Sequence, residues 1–236
     1  MRVRVVYLGI LKDLAGKGTE SVEVADGARV SDLWLQLVTM YPKFKGFSNS
    51  AAMAVNQEYA PPATKLVEGA EVALLPPVSG GSSEVAGRES PYVQIVRERI
   101  VPPSIIPPMQ RPEDGAVVVF DGIVRNNSRG RTTRYLEYEA YESMALKLME
   151  ELAAQALEKF AIRNVLLVHR LGHLEIGESS VLIAVFSAHR GAAFDACRWV
   201  IDTLKKTIPI YKKEYFEDGA VWADGEPFPE QIEKIG

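Results

Sequence analysis

Leu74-Leu75-Pro76-Pro77-Val78-Ser79-Gly80-Gly81 closes the first third of the chain, and its reading decides the fold. An apolar pair runs through two prolines into two glycines. Glycines at the end of a small domain make a bare backbone tail that can thread a narrow channel. Working upstream, Glu71–Leu75 reads as the domain's last strand, entered after a turn at Gly69, and Met53-Ala54-Val55-Asn56 as a short strand before it. Residues 31–41 place Leu33, Trp34, Leu37 and Val38 at helical spacing, with Ser31 as N-cap and Pro42 as the stop. Residues 2–8 and 19–24 read as strands. The order ββαββ in about 80 residues fits a compact α+β roll.

Downstream the composition changes. Residues 82–91 carry little that can pack and read as a linker between a domain at 1–81 and a second at 92–236. Residues 92–100 fit strand or helix. Pro102, Pro103, Pro107, Pro108 and Pro112 then predict an extended connection. Ala116–Val124 reads as a buried strand, and Arg134–Tyr141 alternates with Leu136, Tyr138 and Ala140 on one face. Ser143 caps a predicted helix to about Phe160, whose stripe is Met144, Leu148, Leu152, Ala156 and Phe160. Asn164–Arg170 and Ser179–Ser187 are strands. A helix runs from Ala192 to about Ile208, ended by Pro209. Val221-Trp222 reads as a short final strand.

A chain of 236 residues suffices for two modest domains. A net charge of −4 argues against a general nucleic-acid binder. No apolar stretch is long enough to cross a bilayer, and Met1–Tyr7 lacks a signal peptide's apolar core, so a cytoplasmic location is expected. One cysteine, Cys197, excludes an intramolecular disulfide and a Cys-based zinc site; it reads as a small buried apolar residue.

Three constellations carry chemistry. Ser187-Ala188-His189-Arg190-Gly191 lies where a strand enters a helix, and free helix amides with two side-chain donors favour an anion there. Lys205, Lys206, Lys212 and Lys213 surround Ile208-Pro209-Ile210-Tyr211; a lysine set among cations can serve as acid, base or nucleophile, and Lys206 points elsewhere. Gly122-Ile123-Val124-Arg125-Asn126-Asn127-Ser128-Arg129-Gly130 delivers Arg125 to a polar loop, where a guanidinium suits phosphate or carboxylate. Each also has a plain reading: an exposed arginine beside a satisfied histidine, a solvated basic face at a helix C-terminus, and a structural arginine, in that order. His169 and His173 have no carboxylate or cysteine at metal-ligand spacing, so no metal site is expected. Arg190 and Lys205 begin and end one helix, roughly 22 Å apart at helical rise. A small substrate cannot touch both within one copy. The spacing predicts a C2 dimer of the second domain with two composite sites.

These residues together resemble molybdopterin synthase. Val3-Arg4-Val5-Val6-Tyr7-Leu8, Ala54-Val55-Asn56-Gln57 and Leu75–Gly81 are similar to its small subunit, a ubiquitin-like β-grasp sulfur carrier. Gly122–Asn126, Val168-His169-Arg170-Leu171-Gly172, Ser187–Arg190 and Leu204–Glu214 resemble its large catalytic subunit, an α/β hammerhead-type domain. The resemblance implies an α+β chain that adds two sulfurs to cyclic pyranopterin monophosphate to form the molybdopterin dithiolene. It implies no permanently bound cofactor; the donor is a thiocarboxylate on Gly81, loaded by an adenylating and sulfurating partner enzyme. It puts catalysis on Lys205, with Lys212 second, and substrate binding on Ile123, Val124, Arg125, His189, Arg190, Lys213 and Glu214. An arginine of some relatives aligns near Glu226, which is acidic here.

In the intact chain Gly81 is amide-bonded to Ser82, so loading by this route requires a cut between them. The alternative from another class is a sulfur-carrier adaptor whose second domain only docks.

Overall fold

The computed structural model describes residues 1–48, 50–76, 90–128 and 130–223. They form two compact units, one on each side of residues 77–89. Gly80, Gly81 and most of the expected linker at 82–91 lie outside the described residues, as do Arg129 and Glu226.

The first unit runs β1 (Arg2–Tyr7), α1 (Gly9–Ala15), β2 (Thr19–Glu23), α2 (Val30–Met40), β3 (Ala52–Val55), β4 (Glu58–Tyr59) and β5 (Glu71–Leu75). Its strands form one sheet in the order β2-β1-β5-β3-β4. β1 and β5 pair in parallel at the centre, and the outer pairs are antiparallel. Alternation along β1 sends Val3, Val5 and Tyr7 inward. There they meet Val30, Leu33, Trp34 and Leu37 of α2, with Phe44, Met53, Val72 and Leu74. A helix laid across a sheet with a parallel central pair is the β-grasp arrangement expected from the sequence.

The α2 boundary differs from expectation. Arg29, not Ser31, holds the N-cap position, and its backbone N–H donates to the Asp32 carboxylate at 2.8 Å. The sequence reading also passed over α1, which is seven residues long and closes on Gly16, whose φ is 72°. The β3–β4 turn places Asn56 and Gln57 at φ 49° and 72°, the mirror-image turn that matches strand twist.

The second unit runs β6 (Tyr92–Val96), α3 (Pro102–Ile105), β7 (Ala116–Ile123), β8 (Asn127–Ser128), β9 (Arg131–Ala140), α4 (Glu142–Lys159), β10 (Asn164–Arg170), β11 (Gly172–Glu175), β12 (Ser179–Ser187), α5 (Arg190–Thr207), β13 (Ile210–Phe216) and β14 (Gly219–Trp222). One sheet has the order β6-β10-β12-β7; the other has the order β11-β9-β13-β14, with β8 paired to β9. α4 packs on β10 and β6, α5 packs on β12 and β7, and the two helices touch. The opposite face of the first sheet is closed by Ile105, Ile106 and Met109 over Leu166, Val168, Leu182 and Phe186.

Several expectations change here. Residues 92–96 are a strand, parallel to β10. The prolines do not make an extended connection: Pro102 and Pro103 open α3, and Pro107–Met109 is a 3-10 turn, because proline's fixed φ suits a first helical turn. β7 is half-buried rather than buried, since it is an edge strand with Val119 and Ile123 exposed. Tyr141, not Ser143, precedes the first residue of α4. The stretch after Pro209, to which the sequence reading assigns no element, is the strand β13.

Candidate active site

Arg125 is carried by a rigid post. Val124 is buried against Leu136 and Leu174. Its N–H donates to the Glu178 carbonyl at 2.9 Å, and its carbonyl accepts from Gly177 N–H at 2.8 Å. The Glu178 carboxylate holds this turn together: it accepts from Glu175 N–H at 2.9 Å and from Arg170 Nη1 at 2.9 Å. Those hydrogen bonds, the backbone one foremost, and the charges of Arg170 and Arg99 hold its carboxyl below the usual carboxylate range. Arg125, the next residue, is exposed. Val124 therefore has its side chain and both backbone groups engaged, which makes it an anchor for Arg125. Ile123 beside it is 56% exposed.

β13 sorts the other candidates by parity. Lys212 Nζ lies 2.6 Å from Glu214 Oε1, two residues along the same face. That face also carries Tyr138, which pairs with Lys212 across the strands and senses the charges of both. Burial raises the Tyr138 phenol above its ordinary range, and a Ser180 hydrogen bond opposes the rise. Ser180 Oγ in turn donates to the Gly122 carbonyl at 2.8 Å. Lys212 and Glu214 thus lie on the side of the strand that leads, through Tyr138 and Ser180, to the end of β7. Lys213 faces the other way, 5.0 Å above the Trp222 ring and 6.0 Å from that of Tyr215. Strand alternation separates it from Lys212. Lys212 is also paired with a carboxylate, not set among cations.

Register places the remaining residues. β12 runs antiparallel to β7, with Ser179 opposite Ile123 and Ser187 opposite Ala116. Nine residues of strand put these ends roughly 26 Å apart. His189 and Arg190 follow Ser187 at the Ala116 end, both exposed, where α5 begins. α5 returns along the sheet and ends at Thr207, and Tyr141 N–H reaches Pro209 O, tying its exit to the start of α4. Lys205, exposed in the last turn, is therefore at the Arg125 and Lys212 end. Within one copy of this unit, register and helix direction place Arg125, Lys205, Lys212 and Glu214 toward one end of the sheet and His189 and Arg190 toward the other.

The histidines have other roles. His169 is buried, its Nδ1 3.0 Å from the Arg170 carbonyl, so the proton sits on Nδ1; burial pushes its pKa down to about 4. His173 has Nε2 2.7 Å from Glu175 Oε1 and its ring against Tyr135. No group of three or more His, Cys, Asp or Glu fit to hold a metal occurs among the described residues. Cys197 is buried, which pushes its thiol up to about 11. Glu178, Ser180 and Tyr138 were missed as site-builders. Tyr138 was visible only as one residue of an alternating face, and nothing in the sequence marks Ser180.

A β-grasp unit joined to a larger α/β unit defines a class in which a sulfur-carrier fold precedes a second, helix-covered domain. The ThiS family matches residues 5–81, and the MoaE protein family matches residues 95–207. The molybdopterin synthase catalytic subunit of Pyrococcus abyssi is 43% identical over 112 residues, 48% of this chain and 76% of that protein. That of Thermoplasma volcanium is 43% identical over 128 residues, 54% of this chain and 93% of that protein. The crystal structure of molybdopterin synthase from Staphylococcus aureus matches with a TM-score of 0.52 at 41% identity, covering 55% of this chain and 95% of its own. The chain belongs to the molybdopterin synthase family, with a ThiS-type unit ahead of its MoaE-type unit. No described helix is long and apolar enough to cross a membrane.

Proposed function

We propose that this chain is a fused molybdopterin synthase that serves molybdenum cofactor biosynthesis. The sulfur is carried as a thiocarboxylate on Gly81, and the acceptor is cyclic pyranopterin monophosphate. A thiocarboxylate sulfur bonds to a pterin side-chain carbon as a carbon–oxygen bond there breaks, giving an acyl thioester. In one round the oxygen that leaves is the cyclic phosphate ester's, which opens the ring and keeps the phosphate attached; in the other it departs as water. Water cleaves the acyl–sulfur bond, returning a carboxylate on the carrier and leaving the sulfur on the pterin. Two rounds make the dithiolene.

Arg125 from one copy, and His189 with Arg190 from a second copy in a two-fold dimer, supply cationic and hydrogen-bonding complements to the phosphate. Lys205 is the general acid and base for phosphate-ring opening and thioester hydrolysis. Lys212, held by Glu214, steadies the anionic intermediate or the incoming thiocarboxylate. The observation that carries this reading is the joining of a sulfur-carrier fold to a unit that gathers Arg125, Lys205, Lys212 and Glu214 at one end. A docking-only second unit has no need of that grouping, which weighs against the adaptor alternative.

Loading Gly81 by adenylation requires release of its carboxylate, so the reading includes a cut between Gly81 and Ser82, followed by continued association of the two parts. A cytoplasmic location and an adenylating partner belong to the same reading. The test supplies the two parts as separate chains, residues 1–81 as the thiocarboxylate and residues 82–236, with the cyclic precursor. Dithiolene product is expected, and Lys205→Ala is expected to abolish it while leaving the fold intact. Absence of product with wild-type parts rejects the function; near-normal turnover in the variant removes Lys205 from catalysis. Intact-mass analysis of the native protein decides the cut, since a sole full-length, fully active species refutes it.

A further inference from the structure

Gly115 belongs to none of the sequence constellations, yet it abuts one of them. It immediately precedes β7, and a methyl group built on it would run into the carbonyl oxygen of Ala188, far inside the 3.0 Å that real Cβ atoms respect, with the carbonyl carbon at 3.3 Å. The missing side chain of Gly115 makes room for another segment's backbone. Ala188 is the residue just before His189 and Arg190.

Everything around this contact is fastened. Asp114, next to Gly115, accepts from Arg163 Nε and Nη2, each at 2.7 Å, and from Arg111 N–H at 2.8 Å. The same guanidinium donates to Met109 O at 2.8 Å and sits 5.2 Å over the Phe186 ring, while Arg163 N–H donates to Phe186 O at 2.8 Å. Ser187 is fully buried, pairs with Ala116, and donates its Oγ to Ala161 O at 3.1 Å; that Oγ also accepts His189 N–H at 3.3 Å. Gly115 is thus fixed from its own side by the Asp114–Arg163 pair, and Phe186 and Ser187 are fixed from the other. A group inserted at Gly115 leaves one segment free to give, the exposed Ala188-His189-Arg190 turn.

We infer that Gly115, seated by the bidentate Asp114–Arg163 pair against the Ala188 carbonyl, is a positioning residue that sets the placement of His189 and Arg190 toward a phosphate group. The inference rests on the reading of that turn given under the proposed function. Gly115 touches no substrate. It acts by fixing where the turn leaves the sheet, and a displacement of about 1 Å is enough to spoil a geometry-dependent contact.

The test titrates inorganic phosphate into the full-length isotope-labelled chain and follows the His189 and Arg190 amide signals. KM and kcat with the cyclic precursor are measured separately, with residues 1–81 as the thiocarboxylate and residues 82–236 carrying the substitution. In the wild type these two amides shift with phosphate. In Gly115→Ala the phosphate affinity at these amides drops about tenfold and KM rises by a similar factor, with kcat within roughly threefold. Asp114→Asn, which keeps the glycine and weakens its anchor, gives a smaller loss in the same direction and serves if Gly115→Ala does not fold. A folded variant with wild-type phosphate affinity at these amides overturns the inference, as does a wild type whose amides ignore phosphate. A wild type that binds phosphate here, loses it in the variants and makes no dithiolene supports the positioning role and rejects the proposed reaction.

Discussion

Lys212 and Lys213 are neighbours in sequence and opposites in space. Lys212 shares a face of β13 with Glu214 and Tyr138, whereas Lys213 lies over Trp222 on the other face. Lys212→Ala is expected to lower kcat by about 10²-fold or more, the usual scale for losing a positioned charge at a reacting centre. Lys213→Ala gives up a half-exposed cation–π contact of roughly 0.5–1 kcal/mol and leaves kcat within about threefold. Steady-state dithiolene formation by the two variants decides between parity and mere adjacency. His169 gives the second prediction at this scale. Burial holds it neutral in the fold down to a pKa of about 4, while the unfolded chain takes up the proton near 6.5. Between these values the unfolded state binds more protons, so the second unit loses stability as pH falls from about 6.5 to about 4, by ~3 kcal/mol. His169→Gln does not titrate there, and its urea midpoint should lose that part of the wild type's decline. Equal pH slopes in the two proteins assign the decline to other groups.

At the scale of elements, β7 meets β12 through a glycine at each end, and Gly122 is the one whose environment can adapt. A methyl group there would lie 2.7 Å from Val181 Cγ1, beside the bulge at Ser180. Gly122→Ala is expected to cost about 1–3 kcal/mol by overpacking. Val181→Ala removes the clashing methyls, so the double variant should recover part of that loss, a coupling visible in a denaturation cycle. Purely additive losses would mean that strand twist, not this contact, requires the glycine. The same elements show what the sequence makes legible. α2, α4 and α5 were readable because their buried residues recur at helical period. β13 was not: Lys212, Lys213 and Glu214 put charge on both faces of a strand, and the charge at the buried Glu214 is balanced by Lys212, a pairing that periodicity cannot register. α3 was obscured because its prolines read as extended chain, although they occupy a first helical turn. For the site, Arg125, Lys205 and Lys212 stood out by residue type. Their gathering at one end comes from the β7–β12 register and the return of α5, which join residues far apart in sequence.

At the scale of the whole molecule, that register turns a spacing argument into a test of assembly. His189 and Arg190 open α5 at the Ala116 end of β7, and Lys205 closes it at the Arg125 end. One phosphate ester cannot bridge both ends of an 18-residue helix roughly 26 Å long. If both ends serve one reaction, the start of α5 from one copy must meet the end of α5 from another, and a two-fold axis then makes two such sites. Arg190→Ala and Lys205→Ala chains would each be inactive as homodimers. Mixed in equal amounts after dissociation, half of the dimers pair one of each. Each mixed dimer then holds one doubly damaged site and one intact site, so mixing should restore about a quarter of wild-type turnover. Recovery far below that level, with subunit exchange confirmed by native mass spectrometry, would mean that no site is shared between copies.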